Sequence, residues 1–206
     1  MKVILINGSP HKNGCTYTAL KEVADTLEKR HIETDILYLG QKPIAGCIAC
    51  GKSDEEGICT FDDHVNIIIQ KMNQYQGIVI GSPVYYGGPT GQICSFMERL
   101  CYAGGKKLEG MIGASIVTCR RGGATAAFDR LNKYFQMNNV HLAGSQYWNM
   151  VHGTNPEEAK KDLEGLQTMR TLGENMAWLL QSIEAGKNDV KSPEYENKYY
   201  TNFIME

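Results

Sequence analysis

The sequence predicts an α/β fold in which a parallel sheet is covered by helices on both faces. Strand-like apolar runs and helix-period stretches alternate five times along 206 residues, the pattern of repeated β-α crossovers. Residues 77–81, GIVIG, form a run that is short and apolar throughout, as a central parallel strand is. The unusual turn-rich segments all follow strands, at the ends where such sheets take ligands.

The first strand is Val3-Ile4-Leu5-Ile6, broken at Asn7-Gly8-Ser9-Pro10, and a polar turn then leads into a helix beginning near Thr16. The first N–H groups of a helix have no partners inside it and carry the positive end of its dipole, so this junction suits a phosphate. Ser9, Asn13 and Thr16 add side-chain donors, and Gly8 and Gly14 allow close backbone approach. The stretch has neither the Gly-Lys-Ser/Thr ending of a nucleoside-triphosphate P-loop nor G-x-G-x-x-G. For this loop alone, a plain turn capped by Ser9 or Asn13 is the alternative.

Tyr17, Leu20, Val23, Ala24 and Leu27 give the first helix its buried face, and residues 36–39 the second strand, ended by Gly40. Residues 46–60 form a loop rich in cysteine, glycine and charge. Asp62 or Asp63 then caps a helix through Val65, Ile68, Ile69 and Met72. The third strand runs into Ser82-Pro83-Val84-Tyr85-Tyr86-Gly87-Gly88-Pro89-Thr90, whose tyrosines are unusual in a plain connector. A helix follows through Ile93, Phe96, Met97 and Leu100, then a fourth strand at residues 111–118 and the loop Cys119-Arg120-Arg121-Gly122-Gly123. Ala127, Leu131, Tyr134 and Phe135 mark the next helix, and residues 140–147 a fifth strand. Pro156 suits the first turn of a long closing helix with Leu163, Leu166, Met169, Leu172, Met176 and Leu179 as its buried stripe. One domain therefore spans residues 1–186. Residues 187–206 read as an extended tail whose Tyr199, Tyr200, Phe203 and Ile204 are expected to pack on a neighbouring subunit.

Lys and Arg number 21 against 23 Asp and Glu, a net charge of −2 with the signs interspersed, so no basic patch points to nucleic acid or a membrane surface. No apolar run approaches the roughly 20 residues of a membrane span, and the start shows no basic leader, so a cytoplasmic protein is expected. Seven cysteines without a secretory signal suggest reduced thiols, or a metal or cluster site, over a disulfide framework.

The loops after strands one, three and four converge in such a sheet. The first suits a phosphate, the tyrosines and glycines of the second a flat heterocycle, and Thr118, Gly122 and Gly123 of the third its polar edge. A phosphate at one end and a flat ring at the other describe flavin mononucleotide (FMN).

Residues 8–16, GSPHKNGCT, then Gly81-Ser82-Pro83-Val84-Tyr85-Tyr86-Gly87 with Thr90-Gly91, then Thr118 with Gly122-Gly123, resemble the flavodoxin-like NADPH-dependent FMN reductases, and within them the iron–sulfur flavoproteins. The resemblance covers about residues 1–185. It implies a flavodoxin-like three-layer sandwich, a five-stranded parallel sheet of order 2-1-3-4-5, bound FMN, and a homodimer or homotetramer with flavins near subunit contacts. Ser9, His11, Asn13, Gly14, Cys15 and Thr16 would hold the phosphate, with His11 and Cys15 standing where arginine and asparagine or serine are commoner. Pro83, Val84, Tyr85, Tyr86 and Gly87 would line the ring, with the Tyr86–Gly87 backbone near N5. Thr118, Gly122 and Gly123 would meet the pyrimidine edge, and Arg120 or Arg121 would either place charge near N1 or lie in solvent. Trp148-Asn149-Met150-Val151-His152-Gly153 resembles a segment brought near the flavin. The implied activity is electron transfer from NAD(P)H through FMN to a quinone, flavin, nitro- or azo-aromatic or a redox partner, with no acid–base residue required. A flavodoxin-type carrier or an iron–sulfur flavoprotein-like electron-transfer protein is the alternative.

Cys47, Cys50 and Cys59 stand where iron–sulfur flavoproteins carry a compact four-cysteine motif, with Ser53 in place of the third cysteine. A cubane cluster wants four thiolates, so a cluster is disfavoured. A Cys3His zinc site with His64 is a second reading, a redox sensor using Cys47 and Cys50 a third, and structural thiols that shape the substrate pocket the preferred one. Cys94, Cys101 and Cys119 read as small apolar residues, with Cys119 beside a ligand loop.

Overall fold

Strand β1 (Lys2–Asn7) pairs in parallel with β2 (Glu33–Tyr38) on one side and β3 (Gly77–Pro83) on the other, so that Val3 lies between Thr34 and Gly77. Strand β4 (Ile112–Cys119) continues the sheet beyond β3, the short β5 (His141–Leu142) follows it, and the order is β2-β1-β3-β4-β5, all parallel. The computed structural model describes residues 1–53, 57–197, 199 and 201.

Side chains along a strand alternate between faces, and the two buried clusters follow that alternation. Val3, Leu5, Val79, Ala114 and Ile116 pack under α1 (Cys15–Lys29) and the long C-terminal helix, through Leu20, Val23, Met169 and Met176. Ile4, Ile6, Ile78, Ile80 and Val117 pack against α2 (His64–Lys71), α3 (Gly91–Leu108) and α4 (Ala124–Met137), through Ile69, Phe96, Leu100 and Phe135. Truncating fully buried Phe96 to alanine costs about 3–5 kcal/mol at such a site. Among the described residues no helix is long and apolar enough to cross a membrane.

The single strand expected at residues 140–147 is instead two short pieces. β5 (His141–Leu142) pairs with Ile112 and Gly113, and β6 (Met150–His152) with Val117, Thr118 and Cys119, so both flank β4 and share the fifth position. Between them the chain loops out. The Ser145 hydroxyl bonds the Tyr147 carbonyl at 2.6 Å and Asn149 Oδ1 at 2.7 Å, and buried Asn149 donates to the Ser115 carbonyl at 3.1 Å. A polar loop anchored by a buried asparagine interrupts the single strand expected there.

Pro156 likewise opens only a short helix, α5 (Pro156–Ala159), capped by Asn155. The long helix α6 (Leu163–Gly186) starts afresh at Asp162, whose carboxylate accepts from Gly165 N and from His152 N. This aspartate fixes the helix start to β6. Residues 187–197 have no regular structure and are exposed, and Tyr199 is 92 % exposed. Tyr200, Phe203 and Ile204 lie outside the described residues.

Candidate cofactor site

A cleft of about 870 Å³ opens at the carboxyl ends of β1, β3 and β4. Its floor is the loop after β1. Buried Asn7 folds that loop on itself, accepting from Ser9 N at 3.1 Å through Oδ1 and donating to the Lys12 carbonyl at 3.0 Å through Nδ2. Ser9 Oγ accepts from His11 N at 3.1 Å, which leaves its own hydroxyl hydrogen free to donate into the cleft. Gly8 N bonds the Gly81 carbonyl at 2.9 Å, and a side chain at Gly8 would come within 2.7 Å of Ile93 Cβ. The loop is thus pressed onto β3 and α3.

Helix α1 begins with Gly14 as its N-cap, which has no side chain to satisfy the first N–H groups. By contrast α2, α3, α5 and α6 are capped by Asp63, Thr90, Asn155 and Asp162. The positive end of α1 therefore faces the cleft with its donors available to an anion. Thr16, in the first turn, is buried, and its hydroxyl meets that of Thr118 at 2.8 Å, tying α1 to β4. Burial foremost pushes the Cys15 thiol up, so it stays neutral beside the anion position; its sulfur donates to the Gly153 carbonyl at 3.5 Å.

The loop after β3 is held by Val84 N, which donates to the Thr118 carbonyl at 2.9 Å, and then turns tightly. Tyr85 N bonds the Gly88 carbonyl at 2.8 Å and Gly88 N the Tyr85 carbonyl at 3.0 Å. The residues between them, Tyr86 and Gly87, have φ of 50° and 78°, the signature of a type I′ turn. A fully exposed tyrosine held in the left-handed region stores about 1–3 kcal/mol, strain of the kind found at ligand clamps. Among the described residues the N–H groups of Tyr86 and Gly87 have no protein partner. Gly123, after β4, has φ of 85° and sits so close that a side chain there would lie 2.8 Å from Gly87 Cα and 3.1 Å from Val84 Cγ1. The second and third loops are in backbone contact.

Of the expected cofactor residues, Ser9, His11, Asn13, Gly14, Cys15, Thr16, Pro83, Val84, Tyr85, Thr118 and Arg120 line the cleft. Tyr86, Gly87 and Gly123 belong to the turn and contact beside it, and Gly122 has open space around it. Of residues 148–153, expected near the flavin, Gly153 lines the cleft, its N–H on the Cys119 carbonyl at 3.0 Å. Sequence reasoning missed two contributions. Tyr38 OH and Gln41 Nε2 donate to the Pro10 carbonyl at 2.8 and 3.0 Å, so the end of β2 braces the first loop. Residues 154–156 close the far side, and their Thr-Asn-Pro composition was the available signal.

The cysteine loop lies apart from this cleft. Cys47, Cys50 and Cys59 line a separate cavity of about 160 Å³ with Phe61, Arg99 and Tyr102, whereas His64 does not reach it. Among the described residues no three His, Cys, Asp or Glu side chains are placed to share a metal ion.

Residues 1–155 match the family model of NADPH-dependent FMN reductase. An iron–sulfur flavoprotein of Methanocaldococcus jannaschii is 32% identical over 192 residues, covering 89% of this chain and all of that protein. An iron–sulfur flavoprotein of Methanosarcina thermophila is 24% identical, covering 91% of this chain and all of that protein. Among solved structures, RosB with bound 8-demethyl-8-formylriboflavin-5'-phosphate superposes with a TM-score of 0.71 at 12% identity, covering 100% of this chain and 94% of RosB. An archaeal flavodoxin gives 0.60 at 13% identity, covering 88% of this chain and 99% of that one. These structural likenesses establish a flavodoxin-like fold.

Proposed function

The chain belongs to the NADPH-dependent FMN reductase family, and from that premise we propose that it is an FMN-dependent NAD(P)H oxidoreductase acting on a small electron acceptor. The observation that carries the reading is the uncapped N-terminus of α1 opening into a cleft whose neighbouring turn offers the unpartnered N–H groups of Tyr86 and Gly87. A phosphate donor set and a ring-edge donor set stand at one cleft, whose volume is in the range of cofactor sites, about 300–1,000 Å³.

In this reading Ser9, His11, Asn13, Gly14, Cys15 and Thr16 hold the phosphate. Pro83, Val84, Tyr85, Tyr86 and Gly87 border the ring, and Thr118, Arg120, Gly122 and Gly123 its polar edge. FMN, when bound, supplies the hydride-accepting and electron-donating chemistry. The protein's part is to orient: the Thr16–Thr118 hydroxyl pair fixes the helix against β4, and the Gly87–Gly123 contact holds two loops at one spacing. Arg120 adds positive charge where negative charge develops.

The relatives named iron–sulfur flavoproteins raise the question of a cluster. The donors present do not fit a cubane: three thiols and the Ser53 hydroxyl stand in place of four thiolates, and Arg99 Nε already donates to Cys59 Sγ at 3.1 Å. No electron path is routed through a cluster. A net charge of −2 also lacks the strongly acidic docking field of a flavodoxin-type carrier.

Binding to flavin-free protein, followed by flavin fluorescence, tests the reading. FMN is expected to bind at least tenfold more tightly than riboflavin, which lacks the phosphate; equal affinity would remove the phosphate assignment. Steady-state NAD(P)H oxidation with a quinone and no added reductase then separates an enzyme from a carrier.

A further inference from the structure

The cavity under the cysteine loop pairs a cation with thiols. Arg99 is 1% exposed, and its guanidinium makes four hydrogen bonds. It bonds Asp63 through Nη1 at 2.7 Å and Nη2 at 2.8 Å, reaches the Ala45 carbonyl through Nη1 at 3.4 Å, and stacks 4.8 Å from the Phe61 ring centre. Its Nε–H is left for Cys59 Sγ, at 3.1 Å. A buried cation that donates to sulfur, among the apolar walls of Phe61, Ala103 and Ile48, is an environment in which a cysteine acts as a nucleophile.

The two sides of the cavity are held differently. Cys59 is pinned, because the Asn66 side chain accepts from Cys59 N at 2.8 Å and donates to the carbonyls of Cys59 and Phe61, each at 2.8 Å. Cys47 and Cys50 are exposed and sit on a turn with positive φ at Ala49 and Gly51, where Ala49 N makes only a 3.5 Å contact to Cys47 Sγ. Cys59, beside a cation, and the two exposed thiols of a turn with positive φ therefore line one cavity of about 160 Å³.

We propose that Cys59 is a peroxide-reactive thiol that closes a disulfide with Cys47 or Cys50, making this loop a redox centre separate from the flavin cleft. In the first step Cys59 sulfur attacks one oxygen of a hydroperoxide. The S–O bond forms as the O–O bond breaks, the thiol proton leaves with the departing alcohol or water, and sulfur is oxidised by two electrons to a sulfenic acid. In the second step a Cys47 or Cys50 thiol attacks that sulfur, the S–S bond forms, and hydroxide departs with the attacking thiol's proton as water. Two thiols and one hydroperoxide give one disulfide, one alcohol or water, and one further water.

The test treats full-length, FMN-loaded protein with one equivalent of hydrogen peroxide, traps remaining thiols by alkylation, and maps the peptides by mass spectrometry. The seven free thiols are expected to fall to five, with Cys59 joined to Cys47 or Cys50. Burial pushes the Cys101 thiol up to about 12, so it is expected to stay reduced and serves as an internal control. Cys59→Ser should abolish the disulfide, and Arg99→Lys should slow Cys59 oxidation at least about tenfold, the loss of one charge-assisted hydrogen bond. If Arg99→Lys does not fold, the wild-type peptide map decides alone. A Cys47–Cys50 disulfide with Cys59 still free would overturn the proposal, as would first oxidation at Cys15 or Cys119. So would about four irons per chain, ligated by these cysteines, in anaerobically purified protein.

Discussion

Replacing Gly123 by alanine adds one methyl group at the point where the second and third cleft loops touch. The new carbon would sit 2.8 Å from Gly87 Cα, 0.6 Å inside the 3.4 Å at which ordinary contact begins, and the obstacle is backbone that no rotamer change can move. The residue must also keep a φ of 85°, which costs an alanine about 1–3 kcal/mol, and the overpacking adds about 1–3 kcal/mol. The total is about 2–6 kcal/mol. Without flavin the loops can relieve part of this by separating, so much of the cost should fall on the flavin-bound state, where each 1.4 kcal/mol weakens FMN about tenfold. Gly144→Ala is the matched control, since Gly144 lies outside the cleft, has nothing within 4 Å of its added carbon and has no positive φ. FMN affinity by fluorescence titration and thermal unfolding of both variants are the assays. Gly123→Ala should bind FMN at least tenfold more weakly and lose several degrees of Tm, at about 2–4 °C per kcal/mol, while Gly144→Ala matches wild type. If the two variants behave alike, loop contact does not set the flavin site.

Asp63→Asn keeps a side chain able to cap α2 but leaves Arg99 buried without a counter-charge, so denaturant unfolding should show a loss of about 3–5 kcal/mol. Burial alone would raise the Asp63 carboxyl, but the hydrogen bonds from Arg99 and Val65 N outweigh it and hold the group below the usual carboxylate range. Its contribution is therefore complete above about pH 4 and lost as pH falls through the depressed value, so wild type should weaken in acid with a slope that Asp63→Asn reduces. Thr118→Val leaves the buried Thr16 hydroxyl without its partner and should destabilise the flavin-free protein by about 1–3 kcal/mol, whereas adding Thr16→Val should recover part of that loss in a double-mutant cycle. Ser9→Ala removes the acceptor of His11 N as well as a hydroxyl donor at the cleft, so FMN should bind the variant more weakly, and riboflavin, which lacks the phosphate, should lose less affinity than FMN does.

The alternation of strands with helices and the first loop were legible because each depended on local chemistry, whereas the sheet order came from the family resemblance. An apolar run followed by Asn7-Gly8-Ser9-Pro10 marks a strand ending in a polar turn, and the structure uses Asn7 and Ser9 to build that turn. Asp63 as the cap of α2 was one of two candidates at adjacent positions, and the choice fell to the aspartate that also pairs with Arg99. The fifth strand was read as one piece because residues 140–147 give no sign of the buried Asn149 just beyond them, which bonds a neighbouring strand. The support of Pro10 by Tyr38 and Gln41 was invisible because it joins residues about thirty positions apart through their side chains. The Arg99–Cys59 contact escaped for the same reason. Arginine in a helix reads as a surface charge until the fold buries it.

Anaerobic titration of FMN-loaded protein with NADPH or NADH, followed at the flavin absorption band, tests the oxidoreductase assignment most directly. The account predicts bleaching by at least one of the two at a stoichiometry of one nicotinamide per bound FMN, and return of the yellow colour when a quinone is added. Protein that binds FMN but is bleached by neither nicotinamide without an added reductase would contradict it, and protein that binds no FMN would contradict the site itself.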